Sequence, residues 1–286
     1  MAESYAERYQ RDGYVVVGDA LTPAQLAALR HDFDAWVEES RDHDTPYGVT
    51  ADERARFDIE PGHTADRPAL RRVASPVEVS DAYLDAMRTA PVVDVVADVV
   101  GPNVCFNNSK INSKQPGAMT EVKFHQDFMF QPHTNDGLVA VLIFLDDVTD
   151  DNGPLEVVPG THHGELFSHW HGGVYTGTVA SEVVEAHVTD AVSITGPAGT
   201  ACLMHTRLLH GSKPNSSDQP RTLFIAEYRA EDSKPLQVNH LPSTYEDEVV
   251  RGERTNTVRC TPYEMVFPEV PTEASFFDQQ AKAVAP

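Results

Sequence analysis

The hydrophobic residues of this chain change period once, at Gly101-Pro102, and that change limits the folds open to it. Before it the pattern is helical. Thr22-Pro23-Ala24-Gln25 reads as a capping box with Pro at the first helical position, and Leu26, Leu29, Phe33 and Trp36 then recur on one face through about Glu39. A second helical zone runs over about 80–100, with Leu84, Met87, Val92, Val95, Val96 and Val99 inward. Gly13-Tyr14-Val15-Val16-Val17 is a short strand candidate. Between these zones, 41–72 dissolves into charges, Pro and Gly, a pattern typical of a lid or binding loop. Beyond Gly101-Pro102 the pattern is extended, with strand candidates at 105–113, 121–128, 138–146, 155–158, 191–194, 201–209 and 222–229. Gln115-Pro116-Gly117, Asn135-Asp136-Gly137, Asp151-Asn152-Gly153-Pro154 and Pro159-Gly160 punctuate them. Many short strands between such turns predict a β-sandwich or jelly roll, mainly β with flanking α-helices.

Composition narrows the function classes. With 22 Lys and Arg against 44 Asp and Glu the formal net charge is −22, which repels polyanions. Nucleic acid and anionic membrane surfaces are therefore not expected partners; a small molecule is. The acidity favours a small substrate that is polar or cationic, such as an amino acid or a natural-product intermediate. Cys105, Cys202 and Cys260 form neither a CxxC pair nor an even disulfide framework, which predicts a reducing, cytoplasmic compartment. The first residues lack the apolar stretch of a signal peptide, and the longest apolar run, 138–145, is too short to span a bilayer.

The chemistry-bearing residues are spread over the extended half. His125 and Asp127 stand two apart, and on a strand such residues point to one side. His210 follows the apolar segment 201–209, and Arg221 comes eleven positions later. Two imidazoles and a carboxylate are the ligand set of the facial triad that holds non-heme iron(II) with open positions. A following Arg suits the far carboxylate of a keto-acid co-substrate. The same ligands also suit a zinc-dependent, non-redox jelly-roll enzyme, and a non-catalytic ligand-binding relative is a third reading. His205 competes with His210 as the distal ligand, but its strand parity is opposite and its distance to the Arg differs. His162-His163 reads as a structural loop pair, and His169 and His171 as exposed or substrate-lining residues. Lys110 and Lys114 read as buried-stem lysines at the sheet edge, or one of them as reaching an anionic group in the pocket. Arg71 and Arg72 read as helix-flank charges or as residues at the mouth of the site.

The segment 110–229 resembles the phytanoyl-CoA dioxygenase-like superfamily of Fe(II)/2-oxoglutarate-dependent oxygenases, which includes ectoine hydroxylase. The resemblance rests on four stretches. They are Lys110-Ile111-Asn112-Ser113-Lys114-Gln115-Pro116-Gly117, His125-Gln126-Asp127, the run from Asp151-Asn152-Gly153-Pro154 to Pro159-Gly160-Thr161-His162, and His210-Gly211-Ser212 up to Arg221. The N-terminal Tyr9-Gln10-Arg11-Asp12-Gly13-Tyr14-Val15-Val16-Val17 is similar to the family's opening strand. The resemblance implies a double-stranded β-helix (jelly roll, cupin-like) core with helices packed on one sheet. It further implies Fe(II), 2-oxoglutarate and O2 as cofactor and co-substrates, with iron on His125, Asp127 and His210. Arg221 would bind the C5 carboxylate of 2-oxoglutarate, Ser212 would support it, and Asn112 would contact the co-substrate. Phe128 or Phe130 stands for an aromatic after the HxD, and Gln131 replaces a Trp of some relatives at the substrate wall. Halogenases of the superfamily carry a small residue in place of the carboxylate; Asp127 is present, so hydroxylation or a related oxidation is implied. We expect one oxygenase domain over 1–286: a mostly helical part with a loop or lid over 1–102, a jelly-roll core over 103–230 and a C-terminal cover over 231–286.

Overall fold

The computed structural model describes residues 3–269 and Gln280. In chain order it has α1 (Tyr5–Asp12), β1 (Tyr14–Val17), α2 (Pro23–Ser40), β2 (Phe57–Ile59), β3 (Leu70–Ala74), α3 (Asp81–Thr89), α4 (Val92–Val100) and β4 (Val104–Lys114). There follow β5 (Val122–His125), β6 (Leu138–Phe144), β7 (Leu155–Val157), the two-residue strands β8 (Trp170–His171) and β9 (Val174–Tyr175), and α5 (Ser181–His187). The chain continues with β10 (Val192–Ile194), β11 (Ala201–His205), β12 (His210–Ser212), β13 (Arg221–Ala230) and β14 (Val249–Arg251).

Local chemistry explains the helices. Thr22 caps α2: its hydroxyl accepts from the Gln25 amide at 3.2 Å while the Gln25 side chain returns to the Thr22 amide, with Pro23 opening the first turn. The second helical zone is two helices, not one. Pro91 has no N–H to continue α3 and pushes Ala90 into an extended conformation, so α4 starts anew. α1 is an additional helix, closed by Gly13 at φ 80°.

Two sheets face each other. The larger runs β1-β11-β6-β13-β4-β3-β2, with β14 also on β4; the smaller runs β10-β7-β12-β5, and all these pairings are antiparallel. This is the jelly-roll core, with helices covering one face of the larger sheet. Alternation along β6 assigns the faces. Val139, Val141, Ile143 and Leu145 join Leu29, Phe33, Tyr83 and Met87 in a helix-facing core. Ala140, Leu142 and Phe144 pack with Leu155, Val157 and Ile225 between the sheets. Burying both faces makes β6 a continuous apolar run.

Three expectations are corrected. The 41–72 stretch is not a free loop, because β2 and β3 extend the larger sheet and Ala74, Val73 and Arg72 pair with Lys110, Ile111 and Asn112. The 121–128 strand ends at His125, and Asp127 opens a 3-10 turn, Asp127–Met129. The 201–209 strand ends at His205; a turn separates it from β12, so His210 begins a strand of the other sheet. Among the described residues no helix is long and apolar enough to cross a membrane.

Phe224 packs edge-on against Tyr83 at 4.9 Å between the helices and the larger sheet. Phe224→Ala is expected to lower unfolding free energy by about 3–5 kcal/mol, read by urea denaturation of the metal-free protein.

Candidate active site

β5 and β12 are neighbours in the smaller sheet, and their register sets His210 directly opposite His125. The two imidazole rings stand 4.1 Å apart by centroid. Each ring nitrogen Nδ1 lies against a backbone carbonyl two residues back: His125 against Lys123 O at 2.8 Å, His210 against Leu208 O at 2.9 Å. A carbonyl only accepts, so both Nδ1 atoms carry protons and both Nε2 atoms present lone pairs. The turn after Gln126 swings Asp127 onto the same point, with Oδ1 3.3 Å from His125 Nε2 and 3.7 Å from His210 Nε2. One donor atom from each residue lies within 4.8 Å of the others, the only such His/Cys/Asp/Glu group among the described residues. Burial works against the Asp127 charge, but the neighbouring His210 and His125 side chains hold the carboxyl well below its usual range. Burial, with His125 beside it, lowers His210 to about 4, so at neutral pH its lone pair is free to bind.

These three residues open on a cavity between the sheets. Arg221, first residue of β13, lines it, as do Ser212 of β12 and Asn112 of β4. Arg221 is 3% exposed and donates from Nε to Gly153 O at 3.0 Å; its two terminal nitrogens have no partner among the described residues. Burial lowers its pKa to about 10, which leaves it a cation at neutral pH. Lys114 pairs with Arg221 across β4 and β13 and donates to Ser212 Oγ at 2.8 Å, which leaves the serine O–H free to donate. Burial, then the neighbouring Arg221, lowers Lys114 to about 6. The sequence left Lys114 as a buried-stem lysine or one that reaches an anionic group in the pocket; its register opposite Arg221, which the sequence does not print, puts it in the cavity lining.

The donor set fits iron: two neutral imidazoles with fixed tautomers and one carboxylate, on one side of a buried hollow. Arg221 from the facing sheet and Ser212 from β12 offer a guanidinium fork and a hydroxyl suited to a carboxylate. A phytanoyl-CoA dioxygenase (PhyH) family profile matches residues 9–223. The chain belongs to that family. A probable alpha-ketoglutarate-dependent hypophosphite dioxygenase of Stutzerimonas stutzeri is 36% identical over 215 residues, 73% of each chain. L-proline trans-4-hydroxylase of Streptomyces griseoviridis is 28% identical over 249 residues, 80% of this chain and 86% of that one. The apo crystal structure of EctD from S. alaskensis superposes with a TM-score of 0.65 at 23% identity over 87% of this chain and 86% of that one, which places the fold. The protein is an iron- and 2-oxoglutarate-dependent oxygenase that acts on a small molecule.

The other candidate residues sort by position in this family member. His205 turns to the opposite face of β11, against Tyr9 and His162. His162 and His163 bond Gln10 O at 3.1 and 2.9 Å and tie the loop to α1. His169 is not exposed: it is fully buried, its Nε2 accepting from the Gln126 amide at 3.3 Å behind the HxD turn. Phe130 lines the cavity, whereas Phe128 packs in the interior against Tyr263. Gln131 does not form the substrate wall, because its Oε1 accepts from Asn107 at 2.9 Å and Asn108 at 3.3 Å. Arg71 and Arg72 are strand residues, not helix flanks: Arg71 pairs with Asp58 at 2.7 Å and Arg72 enters the cavity.

Mn(II) at 100 times its Kd is expected to stabilise the wild type by about 2.7 kcal/mol. Asp127→Ala should lose that increment yet stay within about 1 kcal/mol of the wild-type metal-free stability, since an ion site and not a packed core is emptied. Thermal melts with and without metal read both.

Proposed function

We propose that His125, Asp127 and His210 hold iron(II), that Arg221, Ser212 and Lys114 hold the C5 carboxylate of 2-oxoglutarate, and that Asn112 contacts the same co-substrate. The enzyme then hydroxylates an unactivated C–H of a small polar metabolite, within a single oxygenase domain over 1–286. The observation that carries this reading is the pairing of two unmet needs in one cavity: three converging donor atoms, and a buried guanidinium with an empty fork. Bound iron(II) supplies the oxygen chemistry that couples decarboxylation of 2-oxoglutarate to succinate and CO2 with insertion of the second oxygen atom into substrate.

The protein residues position and shield. The Gly153 carbonyl fixes the Arg221 guanidinium at Nε, so the two terminal N–H groups lie ready in one plane for a carboxylate. Ser212, already accepting from Lys114, donates its own proton outward. The inner faces of β6 and β13, through Leu142, Leu223 and Ile225, wall the cavity with apolar surface that excludes water from the reacting centre. Asp127 completes the ligand set with a carboxylate, leaving no vacancy for a halide and favouring hydroxylation or a related oxidation over halogenation. A zinc hydrolase or isomerase has no evident use for the Arg221 fork. A reducing, cytoplasmic setting is the compartment we propose; Cys105, Cys202 and Cys260 are all unbridged.

Two outcomes test the co-substrate assignment, both by calorimetry on Mn(II)-loaded protein. Arg221→Ala is expected to weaken 2-oxoglutarate by about 10- to 100-fold, the scale of a charged, two-pronged hydrogen bond; unchanged affinity contradicts the assignment. The Lys114 effect has a definite sign. Its pKa is depressed to about 6 before binding, and a carboxylate prefers the charged ammonium. Binding near pH 7 should therefore take up a proton, and affinity should fall as pH rises above 6, by at most about tenfold per pH unit. Runs in buffers of different ionisation enthalpy read the uptake, and Lys114→Met should abolish it.

A further inference from the structure

The cavity holds more basic side chains than the assigned reaction uses. Arg54, Arg72, Lys110, Lys114 and Arg221 line it, five of the chain's 22 Lys and Arg, while Asp127 alone represents its 44 Asp and Glu. In a protein of net charge −22 this concentration is local and one-sided. These basic side chains fall into two groups. Arg221 and Lys114 are cross-strand partners at one end of β4 and β13. Arg72 is opposite Asn112, which is opposite Leu223, so Arg72 lies two strands from β13, about 10 Å across the sheet, and is displaced by two residues along it from Arg221. Lys110, two residues before Asn112, shares that inner face, and His240 joins the same wall.

Arg72 is the anomaly in this second group. It is 7% exposed, yet its guanidinium makes no hydrogen bond or ion pair among the described residues, and its Nε is buried without a partner. The nearby acids are spoken for: Asp58 binds Arg71 at 2.7 Å and Asp52 binds Arg54 at 2.6 Å. Glu227 accepts from the Asn108 amide at 3.1 Å and from Asn107 at 3.3 Å. Lys110 also makes no hydrogen bond or ion pair among the described residues, and Asn112 Oδ1 is buried and unmatched. An unpaired buried cation is costly and is normally paired or neutralised. The two carboxylates of 2-oxoglutarate are already placed, one at the metal and one at Arg221, so neither answers Arg72.

We propose that Arg72, flanked by Lys110, is the anchor for a compact anionic head group on the substrate, a carboxylate or a small phosphorus oxyanion, which it grips while the oxidised bond faces the metal site. The proposal rests on the oxygenase reading above and sets aside the expectation of a cationic substrate, because the surface is acidic but the cavity wall is basic. Arg72 acts here as a binding residue. Its planar fork suits two oxygens of one head group, where a lysine would offer a point charge.

Calorimetry on the Mn(II)- and 2-oxoglutarate-loaded wild type, with hypophosphite, phosphite and L-proline as probes and uncharged-carbonyl L-prolinamide as comparator, tests this. At least one anion should bind one-to-one, and L-prolinamide should not bind where L-proline does. Arg72→Met should weaken that anion by about 10- to 100-fold while 2-oxoglutarate affinity stays within about twofold, and Arg72→Lys should fall between. Arg72→Lys carries the comparison by itself if Arg72→Met does not fold. The proposal is overturned if no probe anion binds the loaded wild type, if the Arg72 variants bind it unchanged, or if they lose 2-oxoglutarate as Arg221→Ala does. Failure of 2-oxoglutarate to bind the Mn(II)-loaded wild type would overturn the oxygenase reading, and this proposal with it.

Discussion

Two backbone carbonyls, those of Lys123 and Leu208, decide what this site can be. Each accepts the Nδ1 proton of the histidine two residues on, which turns both Nε2 lone pairs toward Asp127. A free imidazole samples both tautomers and many orientations; these two have one each, set by the sheet rather than by any ion. The β5–β12 register then supplies the approach, with His125 opposite His210, and the 3-10 turn after Gln126 supplies the carboxylate. Gln126 secures that turn from behind, its amide donating to Glu165 O at 3.0 Å and Arg207 O at 2.7 Å. Preorganisation of this kind means that a binding ion need not reorder its ligands.

The larger sheet contributes electrostatics. Its inner face presents Lys110, Asn112 and Lys114 from β4, Arg221 from β13 and Arg72 from β3, in a hollow otherwise walled by apolar side chains. Desolvation strengthens every charge interaction there and lowers Lys114 to about 6 and Arg72 and Arg221 to about 10. Such a wall is unfavourable when empty and favourable when anions fill it, so the fold holds its affinity for anionic ligands in reserve. The outer face of the same sheet is apolar and carries the helices. β6 thus serves stability with its odd positions and the cavity with its even ones.

Much of this was legible in the sequence. The Thr22 capping box, the apolar run of β6 and the Gly- and Pro-rich turns announced their elements directly, and the HxD, His210 and Arg221 spacing pointed to residues that the fold brings to one cavity. What the sequence hid was register. Strand parity brought His125 and Asp127 together on incomplete grounds, since Asp127 lies beyond the strand and is brought beside His125 by a turn. Lys114 gained its place only by standing opposite Arg221, and Arg72 only by standing opposite Asn112. The charged, Pro-rich 41–72 stretch hid β2 because three residues carry too little pattern to register as a strand. Net charge misled in its turn: an average over 286 residues says nothing of the sign inside one cavity.

Anaerobic addition of 2-oxoglutarate to Fe(II)-loaded wild-type protein, followed in the visible spectrum, addresses the central claim most directly. The account predicts a weak metal-to-ligand charge-transfer band that saturates with the keto acid, because chelation at the triad puts iron and the 2-oxo group in direct contact. A spectrum that stays flat at saturating iron and 2-oxoglutarate would contradict it and leave a metal site without oxygenase chemistry.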